Sequence, residues 1–398
     1  MIERPEYIAK LSSLKDKPII KAITGIRRCG KSSVLDLYEE HLLKSGIKPK
    51  QIIRLNFEEA ADEKYAGLED PKKLYKYIKK RLSKDKMNYI ILDEIQYVKG
   101  FQTAVDSLFA QKNTDIYITG SNSYLLSGEL ATLLSGRYIE IKMQPFSLKE
   151  YSSAYPALGK YELFQQYLAE SSFPFALLLN NDRRNILAYL DSLFNTIIVK
   201  DIADRKGLMD TSSLKRVASF MCSNIGSLSS VKKIADTMSS DGQKISAHTV
   251  ENYLSAFLDC YFLYYIPRYD IKGKEYLKTS GKYYLADIAF RNCLISPKEQ
   301  DFGHILENIV CLELLRRGWR VFVGKSGNYE VDFTAWQGKD IAHFQVAWTA
   351  ADKDVLEREL RPLRLIKDHN PKYLLTMDAL PEISHNGIKQ INVLDWLL

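Results

Sequence analysis

The sequence predicts an α/β protein that begins with a parallel β-sheet, and two observations support this prediction. The apolar segment 19–24 is followed by the glycine-containing run Gly25–Ser32 and then by apolar residues with helical spacing. A second apolar segment, 89–92, ends in the acidic residues Asp93 and Glu94. Unbroken apolar segments of this length are typical of strands that are buried on both faces of a parallel sheet.

Length and composition indicate a soluble protein with several domains. The 398 residues exceed the size of one ordinary core, and 46% of them are hydrophobic while 26% are charged. The amino terminus does not resemble a signal peptide, and no apolar segment approaches the roughly 18 residues of a membrane span. Five scattered cysteines without a C-x-x-C pair argue against a disulfide framework or a zinc site, so we expect a cytoplasmic protein. The net charge of +7 permits contact with nucleic acid without requiring it.

Segment 25–32 has the spacing G-x-x-x-x-G-K-S, which is typical of a phosphate-binding loop. Gly25 and Gly30 would let backbone N–H groups surround phosphates, Lys31 would place a cation on the terminal phosphates, and Ser32 would offer its hydroxyl to Mg²⁺. A chance match is the competing interpretation, which the preceding strand and the following helix disfavour. The predicted nucleotide-binding residues of this segment are Gly25, Ile26, Arg27, Arg28, Cys29, Gly30, Lys31, Ser32 and Ser33.

The acidic pair after the second apolar segment supplies the complementary chemistry. Asp93 would hold Mg²⁺ together with Ser32, and Glu94 would orient or deprotonate the attacking water. Glu94 and Lys31 are therefore predicted catalytic residues. The alternative is that Asp93 and Glu94 are two solvated carboxylates that cap a strand.

Two further segments, 51–58 and 115–122, fit strands of the same sheet, and each ends in polar residues. Ligands of open α/β sheets bind beyond the carboxyl ends of the strands, so Ser121 or Asn122 would sense the γ-phosphate. Glu58 would approach the metal or the water, and for this residue the sequence leaves a functional and a purely structural role open.

Arg137 is the predicted arginine finger. Its guanidinium would stabilise negative charge in the transition state, either in its own chain or in a neighbouring subunit. A solvated or salt-bridged surface arginine is the alternative interpretation.

Several motifs, in this order, carry a family resemblance. They are GIRRCGKSS, LNFEE, YIILDEIQ, ITGSNSYLLSGEL, LLSGRYIEIKMQPFSLKEY and SSFPFALL. The chain resembles the prokaryotic AAA-type ATPases of the archaeal-ATPase-like group along nearly its entire length. The resemblance implies an AAA-type P-loop core over residues 1–150, a helical lid over 151–210, a winged helix over 211–290 and a restriction-endonuclease-like domain over 291–398. It also implies ATP rather than GTP as the nucleotide.

The segment that follows the lid favours a winged helix. Helix caps between residues 226 and 257 predict two short helices, and two strands follow with a basic turn between them. The residues that would touch phosphates or base edges of double-stranded DNA are His248, Thr249, Asn252, Lys272 and Lys274. Winged helices also pack against proteins, and the proposed recognition helix carries Glu251 and Asp259 but no arginine, so both interpretations stay open.

The carboxyl-terminal segment predicts a helix over 303–317 and then three strands, the beginning of a restriction-endonuclease-like fold. Such nucleases bind Mg²⁺ through an acidic residue on the helix, an aspartate on a strand and an E-x-K triple whose lysine activates water. Glu307 and Asp332 fit the first two roles, but Gln345 and Ala347 stand where the triple requires a carboxylate and a lysine. A neutral amide is a poor ligand for a hard cation, so we expect no nuclease activity.

These observations predict an ATP- and Mg²⁺-dependent P-loop ATPase whose nucleotide state controls contacts with DNA, a protein partner or further copies of the chain. The alternative from another class is a non-catalytic, nucleotide-gated DNA-binding or regulatory module, and the presence of Glu94 argues against it. An ATP-assisted nuclease is a third hypothesis, and Gln345 and Ala347 argue against it.

Overall fold

The computed structural model divides into two compact units, Met1–Met143 and Gln144–Leu398. The residues that it describes are 2–58, 67–126, 134, 136–179, 182–203, 210–240, 242, 244–295 and 302–398. Within these ranges, no helix combines the length and the apolar character that crossing a membrane requires.

The first unit is an α/β structure. Its helices are α1 (Pro5–Ser13), α2 (Lys31–Lys44), α3 (Pro71–Lys79) and α4 (Phe101–Phe109), and its strands are β1 (Ile20–Gly25), β2 (Ile52–Asn56), β3 (Asn88–Asp93), β4 (Thr114–Gly120) and β5 (Tyr138–Met143). The described strands pair in the order β2-β3-β4-β1-β5, and each of these pairings is parallel. The predicted parallel sheet is therefore confirmed.

The central strands explain the unbroken apolar segments of the sequence. Every residue of β1 and of β3 is buried, so neither face of these strands meets water. Strand β4 lies between them, and the carboxyl ends of all three strands meet at one edge of the sheet. The loop before α2 and the acidic pair at the end of β3 lie at this edge.

Lys21, on β1, places a charge inside the sheet. Its fully buried side chain pairs with Asp115 on β4, which also accepts hydrogen bonds from the backbone N–H of Asp16 and from the hydroxyl of Tyr117, both at 2.8 Å. Burial lowers the pKa of Lys21, and the attraction of Asp115 opposes that effect. The pair links β1 to β4 near the end of β1 that is remote from the loop.

The second unit combines helices with a mixed sheet. Its helices are α5 (Leu148–Ser152), α6 (Lys160–Ala169), α7 (Arg183–Thr196), α8 (Thr211–Ser223), α9 (Val231–Ser240), α10 (Ala247–Asp259), α11 (Ala289–Leu294), α12 (Phe302–Arg316), α13 (Lys353–Arg364) and α14 (Val393–Leu397). Its strands are β6 (Leu263–Asp270), β7 (Glu275–Leu285), β8 (Arg320–Ser326), β9 (Tyr329–Gln337), β10 (Asp340–Ala347), β11 (Lys372–Thr376), β12 (Ile383–His385) and β13 (Ile388–Asn392). The described strands form one sheet in the order β12-β13-β11-β10-β9-β8-β6-β7.

The hairpin of β6 and β7 belongs to this larger sheet. The two strands are antiparallel, and residues 268–270 of β6 pair in parallel with residues 323–325 of β8. The sequence predicts both strands but not their pairing with β8, because strand order depends on contacts between residues that are distant in sequence. The hairpin and the carboxyl-terminal strands therefore belong to one continuous sheet.

Candidate nucleotide site

The loop between β1 and α2 requires glycine at both ends. Gly25 has a φ of 149°, and a Cβ atom at this position would lie 2.2 Å from the carbonyl oxygen of Met143. Gly30, with a φ of 99°, caps the amino-terminal end of α2 in a left-handed conformation that glycine adopts without strain. Arg28 has a φ of 66° although it is not glycine, and strain of this kind is common where a backbone must fit a ligand.

Lys31 is buried within this loop. Its Nζ donates to the carbonyl oxygens of Gly25 at 3.2 Å and Ile26 at 3.4 Å, and it lies 3.4 Å from Oε1 of Glu94. Burial by itself would lower the pKa of Lys31, but the negative charges around it, chiefly that of Glu94, raise it above its usual value. Lys31 is therefore a charged ammonium held by the loop and by the acid at the end of β3.

One hydroxyl group orients both acids at the carboxyl end of β3. Thr119, on the neighbouring β4, donates to Oδ1 of Asp93, and its oxygen accepts the backbone N–H of Glu94 at 2.8 Å. Glu94 has a φ of 51°, and its carboxylate accepts a hydrogen bond from Gln96. The hydrogen bonds of Thr119 on β4 thus fix the backbone at the end of β3.

The two acids differ in their electrostatic surroundings. Burial raises the pKa of Asp93, and the hydroxyls of Thr119 and Ser32 reduce that rise. Burial also disfavours the ionised form of Glu94, but Lys31 and the other donors around this carboxylate hold its pKa below the usual value. Glu94 is therefore ionised at neutral pH.

The residues at this edge of the sheet fit a Mg²⁺ ion. Asp93 is fully buried, and its Oδ2 accepts no hydrogen bond from the part of the chain that the structure describes. Mg²⁺ prefers oxygen ligands, and in nucleotide sites it is commonly held by one or two side chains together with substrate phosphates. Ser32, in the first turn of α2, and Asp93 supply such a hydroxyl and carboxylate.

Arg54, on β2, connects the two predicted metal ligands. One end of its guanidinium pairs with Asp36 and lies 3.3 Å from Glu39. The other end donates to the backbone oxygen of Ser32 at 3.3 Å and lies 3.8 Å from Oδ2 of Asp93. Arg54 therefore spans from the helix after the loop to the end of β3.

The remaining residues that were predicted near the phosphates lie in two places. Ser121 and Asn122 follow β4 and are both buried, beside the ends of β1 and β3. Glu58 follows β2 and accepts a hydrogen bond at 3.3 Å from Arg27, which also donates to the hydroxyl of Tyr97 at 3.5 Å. Glu58 is thus joined to the phosphate loop through Arg27.

Arg137 lies away from this group within the chain. Its carbonyl oxygen accepts the backbone N–H of Ile20 at 2.8 Å, and Ile20 is the first residue of β1 whereas Gly25 is the last. The side chain pairs with Asp106 on α4 at 2.6 Å and is about half exposed. A strand of this length separates Arg137 from the loop by roughly 15 Å, so the structure does not bring it to the site of its own chain.

Comparison with known proteins adds to this geometry. Residues 17–152 match a family model described as an AAA domain, a range that contains the loop, both acids and Asn122. An uncharacterised protein of Haemophilus influenzae is 39% identical over 403 residues, which cover 100% of this chain and 99% of that protein. Residues 17–152 therefore form an AAA domain, and the chain belongs to the same family as this uncharacterised protein.

A second relative also matches most of the chain. The uncharacterised protein MJ1544 of Methanocaldococcus jannaschii is 30% identical over 369 residues, which cover 88% of this chain and 79% of that protein. The solved structure of the Walker-type ATPase PABY2304 of Pyrococcus abyssi is 16% identical, with a TM-score of 0.49, over 74% of this chain and 96% of that one. Residues 161–301 match a domain of unknown function (DUF8612).

The residues predicted to contact DNA lie in the second unit. His248 and Asn252 are exposed on α10 and hydrogen-bond to each other at 3.3 Å, and Thr249 lies on the same helix. Lys272 and Lys274 are exposed in the turn between β6 and β7. The structure thus carries these side chains on two adjoining elements of the chain.

Sequence analysis missed three residues that orient the side chains of this site. Thr119 was within a predicted strand and Gln96 lies two residues after Glu94, so proximity to the motifs was the available signal. Arg54 shares a face of β2 with Asn56 by the two-residue period of a strand, but its contact with Asp93 depends on strand order. Only the three-dimensional structure identifies these partners.

Proposed function

We propose that this AAA-type ATPase hydrolyses ATP with Mg²⁺, and that its nucleotide state controls contacts with DNA or a protein partner. One observation carries the catalytic part of the proposal: the ammonium of Lys31 lies 3.4 Å from Glu94, next to a buried Asp93 whose Oδ2 lacks a hydrogen-bond partner among the described residues. Phosphoryl transfer to water requires a cation, a base and a metal ligand close together, and Lys31, Glu94 and Asp93 would supply them beside one loop.

The loop residues would bind the triphosphate. Backbone N–H groups of residues 26–33 and the amino-terminal end of α2 favour negative charge, and the side chains of Arg27 and Arg28 add positive charge beside them. Phosphate oxygens would compete with the carbonyls of Gly25 and Ile26 for the ammonium of Lys31. Asn122 would donate to the γ-phosphate from the end of β4.

Ser32 and Asp93 would hold the Mg²⁺, which supplies positive charge that neutralises the developing charge on the phosphate oxygens. Glu94 would accept a proton from the attacking water or orient it. When the phosphates engage Lys31, Glu94 loses an ion-pair partner, and its pKa moves towards the range that suits a base. Arg137 would act as an arginine finger only in a neighbouring subunit.

The second unit would make the contacts with DNA or a protein partner that the nucleotide state controls. Helices α8 to α10 and the β6–β7 hairpin are consistent with a winged helix over 211–290, in which α10 and the turn with Lys272 and Lys274 would contact double-stranded DNA. The order α12, β8, β9, β10, α13, β11 is consistent with a catalytically inactive restriction-endonuclease-like domain over 291–398. Residues 151–210 would form the helical lid.

Nucleotide binding and hydrolysis can be tested separately. We expect Lys31→Ala to lose binding of a fluorescent ATP analogue, because the terminal phosphates lose their cation. We expect Glu94→Gln to bind Mg²⁺ and ATP as the unsubstituted protein does, yet to release no phosphate. Glu40→Gln, an exposed position on α2, is the matched control that should change neither property. Binding without turnover in the unsubstituted protein would favour a non-catalytic, nucleotide-gated module instead.

A further inference from the structure

Lys282, on β7, places its ammonium among three carboxylates in the second unit. Nζ lies 2.6 Å from Oε1 of Glu307 on α12, 2.7 Å from Oε1 of Glu330 and 3.4 Å from Oδ1 of Asp332, both on β9. An ammonium has three N–H donors, and each has a carboxylate within reach. The Lys282 side chain is only 3% exposed, so water screens these attractions weakly.

Two of these carboxylates are the ones that a restriction-endonuclease-like fold would assign to a divalent cation. Glu307 and Asp332 lie on different elements, and both accept hydrogen bonds from the ammonium of Lys282. Gln345, on β10, is beside them: its Oε1 accepts the backbone N–H of Asp332 at 3.3 Å, and its amide donates to Glu359 at 3.0 Å. The group therefore brings together three residues that sequence analysis assigned to the positions of a nuclease site, around an ammonium.

The residues of this group do not fit a divalent metal. The second oxygen of Asp332 accepts the backbone N–H of Val346 at 2.9 Å, and the hydroxyl of Tyr284 donates to Oε1 of Glu307. Mg²⁺ requires about six oxygen ligands at about 2.1 Å, whereas here the space between the carboxylates holds an ammonium. The turn at Gly226 also approaches closely, since a Cβ atom there would lie 3.3 Å from Oε2 of Glu307.

We propose that the ammonium of Lys282 replaces the divalent cation of a restriction-endonuclease-like site, so that this domain keeps its carboxylates together without metal and does not cleave nucleic acid. The ammonium supplies positive charge at the centre of the carboxylates, but it cannot polarise a bound water as a metal does. Because Lys282 comes from β7, it also attaches the hairpin to α12 and β9. This inference rests on the proposed restriction-endonuclease-like domain and is independent of ATP hydrolysis.

The proposal predicts that removal of the ammonium creates a metal site. Lys282→Ala removes both the charge and the side-chain atoms that fill the space between the carboxylates. Binding of Mn²⁺ to the nucleotide-free protein would be measured by electron paramagnetic resonance at pH 8, with Asp93→Asn in every variant to remove the carboxylate of the phosphate site. We expect Lys282→Ala to gain one equivalent of Mn²⁺, and the gain to disappear when Glu307→Gln is added. Glu307→Gln alone should leave Mn²⁺ binding unchanged.

Three results would overturn the proposal. The first is Mn²⁺ binding that Glu307→Gln alone removes, since the native group would then hold a metal. The second is a folded Lys282→Ala protein, verified by circular dichroism, that gains no Mn²⁺. The third is Mg²⁺-dependent nicking of supercoiled DNA that Glu307→Gln abolishes. If Lys282→Ala does not fold, the first and third comparisons still decide the question.

Discussion

Arg54 illustrates how a residue outside the motifs can act on the predicted metal ligands. It donates to the backbone oxygen of Ser32 and lies 3.8 Å from Oδ2 of Asp93, so it is placed to position both groups. We expect Arg54→Gln to raise the Mg²⁺ concentration for half-maximal ATP hydrolysis by about 10-fold, the lower end of the effect typical for residues that support metal ligands. The rate at saturating Mg²⁺ should change little. Arg54→Lys should restore part of the Mg²⁺ affinity.

The measurement is phosphate release as a function of Mg²⁺ concentration. The control is Arg81→Gln, which should leave the curve unchanged. Within the described part of the chain, Arg81 contacts the carbonyl oxygen and the ring of Tyr77. A lower maximal rate with an unchanged Mg²⁺ requirement would contradict a positioning role for Arg54.

Glu307 should make stability depend on pH. Burial raises the pKa of Glu307 to about 7, with Asp332 acting in the same direction and Lys282 and Tyr284 opposing it. The folded chain therefore retains a proton that the unfolded chain, with an ordinary pKa near 4.5, has lost. Between these two values the free energy of unfolding falls as pH rises, and above about 7 this contribution is fully lost.

Urea unfolding of the native protein and of Glu307→Gln between pH 5 and 8 tests this sign. The stability of the native protein relative to the variant should decrease as pH rises through this window. A difference that stays constant with pH would show instead that Glu307 is already ionised in the fold at pH 5.

At the scale of the elements, the buried pair of Lys21 and Asp115 joins β1 to β4. Asp115→Asn leaves a buried ammonium without its counter-charge and should lower the free energy of unfolding by about 3 to 5 kcal/mol. Adding Lys21→Met should recover part of this loss, because no unpaired charge remains. Urea unfolding of the single and double variants measures the coupling. Strictly additive losses would contradict a direct interaction in the folded state.

The elements also show how far sequence analysis reaches. Strands β1 and β3 were predictable because burial on both faces leaves an unbroken apolar segment, and their motifs follow directly in the chain. The position of Arg137 was not predictable, since it depends on which end of β1 pairs with the start of β5. Lys282 was missed for a related reason: it reaches Glu307 across 25 residues of sequence, and no local pattern marks a lysine that is buried.

At the scale of the whole molecule, the proposal links nucleotide state to DNA. We expect Lys272→Glu with Lys274→Glu to weaken binding of duplex DNA, because two cations of the exposed turn are replaced by anions, and to weaken the salt dependence of binding as well. Fluorescence anisotropy with ATP or ADP at several salt concentrations measures both effects. Lys86→Glu with Lys339→Glu, at exposed positions elsewhere, is matched in charge and should bind DNA as the native protein does. Equal weakening by both pairs would indicate only a general effect of net charge.

Phosphate release from ATP, measured with and without Mg²⁺ and duplex DNA for the native protein, Lys31→Ala and Glu94→Gln, decides whether the loop and the acid after β3 catalyse hydrolysis. We expect Mg²⁺-dependent turnover in the native protein, loss of turnover in both variants and a change of rate with DNA. Absence of turnover in the native protein under every condition, or turnover that survives Glu94→Gln, would contradict this expectation.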